Sequence, residues 1–333
     1  MRNVYLDNNA TTRVAPEVID AMEPFFREYW GNPSSMHYFG GQVRSHIEAA
    51  RAKVAELVGA DPSEIVFTSC GTESDNMALM GAVGASGGDA EIVTTRVEHP
   101  AVLAPSRHLK DAGYKVREIG VDGSGLLDMD ALRFALNGDH FIASVMWANN
   151  ETGVIFPIDK IARMVKTAGG VMHSDAVQAA GKLDIDVSKV PVDMLSLSGH
   201  KLHAPKGIGA LYIRKGTKLK TYLLGGRQED GRRGGTENVP YIVGLGKACE
   251  LVLESRENDV KRMEALRDRL EKGLVSRCSD TAVNGGDAPR LPNTTNISFK
   301  YVEGEAILYH LSDLGIAASS GSACTSGSLE PSH

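Results

Sequence analysis

Phe141-Ile142-Ala143-Ser144-Val145-Met146-Trp147 is apolar almost throughout. A strand with one wet face alternates apolar and polar residues, so this run reads as a strand covered on both faces. Similar short runs recur on either side of it: Ile65-Val66-Phe67-Thr68, Ile92-Val93-Thr94-Thr95, Gly170-Val171-Met172-His173, Met194-Leu195-Ser196 and Ala210-Leu211-Tyr212-Ile213. Helical periodicity fills the spaces between or before them, at about 17–29, 42–58, 73–83, 101–111 and 159–167. Strands alternating with helices predict an α/β domain with a largely parallel or mixed sheet. After about residue 238 the character changes. A long helix is expected over 241–276, broken or kinked near 255–258. A strand at 295–299, a helix at about 303–314 and a Ser/Gly-rich stretch at 319–328 follow, and predict a second, smaller unit.

The chain has 333 residues, enough for about two domains, and is 42% hydrophobic, so a large core can form. Its formal charge of −6 gives no general attraction to nucleic acid or to an anionic membrane. The four cysteines, Cys70, Cys249, Cys278 and Cys324, form no C-x-x-C pair and no disulfide-like framework, which suits a reducing compartment. The first seven residues show no apolar targeting segment, so the cytoplasm is the expected location. His37, His46, His108 and His203 lack ligand spacing, and no metal site is expected.

Ser196-Leu197-Ser198-Gly199-His200-Lys201 runs from a strand into a turn. A lysine there can form a Schiff base with a carbonyl cofactor, provided a neighbouring cation or desolvation leaves its amine neutral part of the time. It can equally be a solvated loop lysine. Val171-Met172-His173-Ser174-Asp175-Ala176-Val177-Gln178 places an acid just past another strand end. Asp175 could pair with a pyridine nitrogen or simply cap a helix. Thr68-Ser69-Cys70-Gly71-Thr72-Glu73-Ser74 joins a strand to a helix N-terminus, where backbone N–H groups favour an anion such as phosphate. Glu98-His99-Pro100 sets an imidazole after a further strand, and Asn149–Gly153 follows the apolar run that opened this reading.

Taken together and in order, these segments resemble the cysteine desulfurases of the class V aminotransferase family, over essentially the whole chain. Tyr5–Thr12, Gly31-Asn32-Pro33-Ser34-Ser35, Arg233-Gly234-Gly235-Thr236-Glu237-Asn238 and Ser319–Ser328 carry the resemblance further. Ser69–Thr72, Met146–Asn150 and Lys201–Gly207 look closest to the nitrogenase-associated NifS branch. The resemblance implies fold type I: a large domain at 15–250 with a mainly parallel seven-stranded sheet flanked by helices, and a smaller α/β domain made of 1–14 and 251–333. It implies pyridoxal 5'-phosphate carried on Lys201, with His99 stacked on the ring, Asp175 at the pyridine nitrogen and Gln178 at the phenolic oxygen. Gly71, Thr72, Ser198 and His200 would hold the phosphate. Asn150 would contact cofactor or substrate, and Asn32 would lie near the substrate. Thr236 would reach the phosphate of a second copy, which implies a homodimer.

Ser319-Ser320-Gly321-Ser322-Ala323-Cys324-Thr325-Ser326-Gly327-Ser328 has little side-chain bulk and two glycines, the composition of a loop able to deliver a thiol. Cys249 and Cys278 suit packed positions better. The resemblance makes Cys324 the sulfur acceptor: L-cysteine would become L-alanine while Cys324 becomes a persulfide. An iron–sulfur scaffold protein would then receive the sulfur, with Cys324 nearest any transferred cluster. Family members usually continue several dozen residues past Ser328, and that tail supplies the arginine for the substrate carboxylate. No residue here takes that role by motif, and Arg232 or Arg233 is the nearest candidate. Another reaction on the same fold, aminotransfer or selenocysteine cleavage, is the first alternative, and a truncated scaffold that binds the cofactor without turnover is the second.

Overall fold

The computed structural model describes residues 3–138 and 140–321. Strand β1 (Val4–Tyr5) leads through an extended segment to helices α1 (Pro16–Met22), α2 (Pro24–Arg27) and α3 (Tyr38–Val58). Alternation then begins: β2 (Ile65–Thr68), α4 (Gly71–Ala85), β3 (Glu91–Thr95), α5 (Pro100–Asp111), β4 (Val116–Ile119), α6 (Met129–Ala135), β5 (Phe141–Ser144), α7 (Ile158–Thr167), β6 (Val171–Asp175), β7 (Met194–Ser198) and β8 (Gly209–Ile213). Helix α8 (Val239–Val275), β9 (Thr281–Val283), β10 (Ile297–Phe299), α9 (Gly304–Asp313) and β11 (Ile316–Ala317) complete the described chain.

The central sheet has seven strands in the order β2-β8-β7-β6-β5-β3-β4. Its run from β7 to β4 is parallel, and β8 lies antiparallel between β7 and β2. The four residues of β5 are all buried, as are those of β2, β3, β7 and β8, because helices cover both faces. Gly209 is required where β8 squeezes past the neighbouring chain. A Cβ there would sit 2.7 Å from the Leu197 carbonyl oxygen and 2.8 Å from the Cys70 carbonyl carbon. That approach holds the turn after β2 close to the end of β7.

Several expected boundaries move for local reasons. The helix expected at 17–29 divides at Pro24, which starts α2 because it has no N–H to continue the first ladder. The apolar run at 141–147 is strand only through Ser144. Beyond it the chain stays extended, with Val145 N–H donating to the His173 carbonyl at 3.2 Å and Trp147 N–H to that of Asp175 at 2.8 Å. The break expected near 255–258 is corrected: α8 runs unbroken for 37 residues, and the Ser255 hydroxyl donates to the Leu251 carbonyl at 3.0 Å without interrupting the ladder. Cys249 is fully buried, but Cys278 lies half-buried in the turn after α8 rather than in a core. Among the described residues, no helix is long and apolar enough to cross a membrane.

The first half of α8 packs against α1 and α3 through Val239, Ile242, Leu245, Ala248 and Cys249, all buried. At Gly246 a Cβ would lie 2.6 Å from the Ala50 Cα, so the two helices touch backbone to backbone. The second half leaves this core, and Leu266, Leu270 and Val275 are exposed. Two small ladders lie beyond it, β9 with β10 antiparallel and β1 with β11 parallel.

Arg51 of α3 is buried and forms a two-pronged pair with Glu229 at 2.7 and 2.9 Å, while the Phe67 N–H donates to the same carboxylate at 2.9 Å. Truncating Glu229 would leave the buried guanidinium with only the exposed Glu48 carboxylate, 3.3 Å from its Nε. Glu229→Ala is therefore expected to cost about 3–5 kcal/mol of stability, read as a lower urea midpoint. An unchanged midpoint would show that Arg51 finds another acceptor.

Candidate active site

In open α/β sheets, ligands bind beyond the carboxyl ends of the strands. Here the chain leaving β2, β3, β5, β6 and β7 carries Gly71-Thr72, Glu98-His99, Asn149-Asn150, Asp175–Gln178 and His200-Lys201. Lys201 closes a single 3-10 turn after β7. Its amine donates to the backbone carbonyls of Asn9 and Ala10, the latter at 2.8 Å. The Asn9 carbonyl also accepts from the Gln178 amide at 2.9 Å. The Asn9 side chain donates to the Asn150 carbonyl at 3.3 Å and to the Thr294 hydroxyl at 3.0 Å. The early segment is thus a strap across the site. It is fixed further by Thr12, whose N–H donates to the His200 carbonyl at 3.0 Å, and by Thr11, whose hydroxyl lies 3.1 Å from His200 Nδ1.

Charge is distributed unevenly in this pocket. Burial pushes the Asp175 carboxyl up, while the Val177 N–H at 2.8 Å, His99 and Lys201 pull it back toward the ionised form. Burial pushes the His99 imidazole down, and Lys201 adds to that while Asp175 opposes it. His99 Nδ1 accepts the Ala101 N–H at 3.1 Å as the cap of α5, so the neutral ring carries its hydrogen on Nε2. His200 is pushed down to about 4, by burial first and then by Lys201, Lys206 and His99. Lys182, whose amine donates to the Gln178 carbonyl at 2.9 Å, is pushed down to about 8 by burial and then by Lys201.

The anion end of the pocket is built at the first turn of α4. A Cβ on Gly71 would lie 2.9 Å from a Val177 methyl and 3.3 Å from the Ser198 Cβ, so glycine is what lets α4 approach β7. The Ser198 hydroxyl and the Gln178 amide oxygen are both buried without a hydrogen-bond partner. Thr72 and His99 line one cavity of about 480 Å³ together with Asn76 and Tyr222. An orphan hydroxyl at a helix N-terminus, an amine, an acid and an imidazole in one pocket fit pyridoxal phosphate.

Not every expected residue joins this group. The Asn32 side chain accepts from the Ser34 N–H at 2.9 Å, capping its own turn. Thr236 is exposed. Cys324 lies outside the described residues. Arg232 donates to the carbonyls of Ser63 at 3.0 Å and Glu229 at 3.2 Å, and Arg233 grips Glu73 at 2.8 and 3.2 Å. Both guanidiniums named as candidates for the substrate carboxylate are thus engaged elsewhere.

A buried polar layer beneath the pocket escaped the sequence reading. His173 is held at Nδ1 by the Ser144 hydroxyl, 2.8 Å away, and at Nε2 by that of Ser196, 2.9 Å away, with Asp75 of α4 at 3.5 Å. Burial drives His173 down to about 3 and Asp75 well above the usual carboxylate range, with the Asp175 charge adding to the latter. A signal existed. His173 stands two residues before Asp175 on β6, hence on the same face, and Asp75 stands one helical turn after Gly71.

The family model for class V aminotransferases matches residues 4–333. A cysteine desulfurase of Trichormus azollae is 56% identical over 333 residues, covering 100% of this chain and 83% of that protein. The cysteine desulfurase NifS of Azotobacter vinelandii is 54% identical over 334 residues, with the same coverage of 100% and 83%. Among solved structures, a NifS-like protein superposes with a TM-score of 0.93 at 41% identity, covering 97% of this chain and 89% of that one. SspA in complex with cysteine superposes at 0.86 and 34% identity, covering 99% and 92%.

Proposed function

We propose that this chain, which belongs to the class V aminotransferase family, delivers the sulfur of L-cysteine to iron–sulfur cluster assembly, with nitrogenase maturation as its destination. It is a pyridoxal-phosphate-dependent cysteine desulfurase of fold type I. The destination rests on the 54% identity to NifS.

Bound pyridoxal phosphate supplies an electron sink for the pair left on the substrate α-carbon. The chain's own residues do the rest. Lys201 tethers the cofactor and shuttles the α-proton; its two carbonyl contacts, on Asn9 and Ala10, aim the amine. Asp175 holds negative charge opposite the ring nitrogen, and His99 exchanges protons from Nε2. The Gln178 oxygen and the Ser198 hydroxyl, both buried without a partner, would hold cofactor polar groups. Gly71, Thr72 and His200 would complete the phosphate contacts and Asn150 would serve the substrate side, while Asn32 caps its own turn. The Cys324 thiolate attacks the substrate sulfur. The S–S bond forms as the C–S bond breaks, the carbon keeps the pair and is protonated, and L-alanine leaves a Cys324 persulfide. Water must be excluded during this exchange, and the strap at Asn9–Thr12 covers the lysine side.

The same reading divides the chain into a large domain at 15–250 and a small one made of 1–14 and 251–333, supported by the pairing of β1 with β11. It assembles as a homodimer in which Thr236 serves the phosphate of the second copy. The exposed Leu224 and the stacked Trp30 and Phe39, 5.3 Å apart, supply apolar surface for that contact. An iron–sulfur scaffold protein accepts the sulfur, and the reaction runs in the cytoplasm, where thiols stay reduced.

The observation that carries the reading is Lys201 on the turn after β7, its amine aimed by the Asn9 and Ala10 carbonyls, with Gln178 on the same Asn9 carbonyl and Asp175 and His99 near enough to feel its charge. With L-cysteine, the holoenzyme is expected to release L-alanine and to gain one sulfur on the Cys324 peptide by mass spectrometry. Cys324→Ala should keep the bound cofactor's colour and lose sulfide release. Full-rate sulfide release from that variant would remove Cys324 from the reaction.

A further inference from the structure

We propose that Glu98 is a positioning residue for His99, an un-ionised acid that stitches the loop after β3 to the loop after β5. The idea rests on the reading that His99 works beside the cofactor. Glu98 is completely buried. One carboxyl oxygen, Oε1, accepts from the Thr95 hydroxyl at 2.8 Å, at the end of β3, and from the Met146 N–H at 2.9 Å, just past β5. A second stitch runs beside it, from the Asn149 amide to the Val97 carbonyl at 3.1 Å. His99 follows directly and starts α5, so these two ties fix where its ring enters the pocket.

The other oxygen, Oε2, is buried and has no hydrogen-bond partner. An ionised carboxylate needs donors on both oxygens, and burying one without them is costly. The charged groups that face it worsen the case: Asp175 from β6 and Asp75 from α4 are both acids. His173, also on β6, is held neutral by burial and offers no counter-charge. A proton on Oε2 resolves the conflict and leaves Asp175 as the carboxylate, with the Lys201 charge acting on it. Burial and the Asp175 charge together push Glu98 up to about 8, against the two hydrogen bonds that pull it down. Because the folded value is raised, the folded chain holds more protons than the unfolded one between about pH 4.3 and 8. Stability from this group is therefore complete below that window and is lost as pH rises through it.

The test uses the holoenzyme labelled with 13C-glutamate, as wild type, E98Q and E98A. At pH 6.5, the infrared difference between wild type and E98Q is expected to show a lost carboxylic-acid C=O band, and in the wild type that band should convert to carboxylate as pH passes about 8. Loss of carboxylate bands at pH 6.5 instead would overturn the proposal. The wild-type titration alone decides the point if neither variant folds. In turnover, E98A is expected to lower kcat by about 10- to 100-fold with KM for L-cysteine within about twofold, and E98Q to recover to within about threefold of wild type. A wild-type kcat in E98A would end the positioning role. Should His99→Gln keep a wild-type kcat, the reading of His99 fails, whereas the infrared result for Glu98 still stands by itself.

Discussion

Lys201→Ala is expected to lower turnover of L-cysteine by roughly 10⁵- to 10⁶-fold, the scale seen when a covalent catalytic group is deleted. Two losses combine. The cofactor loses its covalent tether, and the α-proton loses its carrier. The amine's position argues for both. It sits in a tight turn at the end of a fully buried strand, and two backbone carbonyls direct its hydrogens. Among the described residues Lys182 is the other amine to weigh: it is near enough to feel the Lys201 charge, and burial keeps its amine partly neutral near pH 8. Borohydride reduction of the wild-type holoenzyme should therefore fix the pyridoxyl group on the Lys201 peptide. Lys201→Ala should give no such adduct and lose the absorbance of tethered cofactor. An adduct on Lys182 in the wild type would transfer the role to that residue.

Asp175→Asn should keep the shape of the pocket and lower kcat by about 10²- to 10³-fold, as removal of a preorganised electrostatic partner does elsewhere. The Val177 N–H can still donate to the asparagine oxygen, so the turn after β6 survives. The negative charge does not. Without it the ring nitrogen sheds its proton and accepts electrons poorly. The pH dependence gives a sharper readout. Burial raises the Asp175 carboxyl, so it protonates at a higher pH than an exposed aspartate, and wild-type activity should fall on the acid side as that charge is lost. Asp175→Asn has no such charge to lose, and its acid limb should flatten. An acid limb unchanged in shape would assign that titration to another group.

The buried strands were readable because an apolar run ending in a turn has few other interpretations. The edge strand β4 was not: Arg117 and Glu118 give Val116–Ile119 the look of a loop, and its register depends on Arg117 pairing with Glu91 of β3, a contact far away in sequence. The polar cluster at 255–258 looked like a break, but its side chains serve the helix: Ser255 donates back to the Leu251 carbonyl, Glu257 pairs with Lys261 one turn on, and Arg256 reaches Asp184. Within the pocket, Lys201, Asp175 and His99 were legible as candidates because each stands at or just past a strand end. The Asn9 carbonyl could not, since a backbone acceptor has no residue signature. Asp75, His173 and Glu98 stayed hidden for a different reason. A single titratable residue, whether in helix α4, strand β6 or the loop after β3, looks the same in sequence whether solvent or another acid faces it.

The unbroken course of α8 has a mechanical side. Its 37 residues span roughly 55 Å at 1.5 Å per residue. Its first half is clamped to α1 and α3, while its second half carries exposed leucines away from that core. The far part is tied as well: Arg267 donates to the Leu291 carbonyl at 2.8 Å, Glu271 holds Arg290 at 2.9 and 3.1 Å, and the Leu291 N–H donates to the Gly153 carbonyl at 2.8 Å. Anchored at both ends, the helix works as a strut: it braces the loop at 289–291 against the turn after β5, and shortening or kinking it would loosen that loop from Gly153 and Ile155.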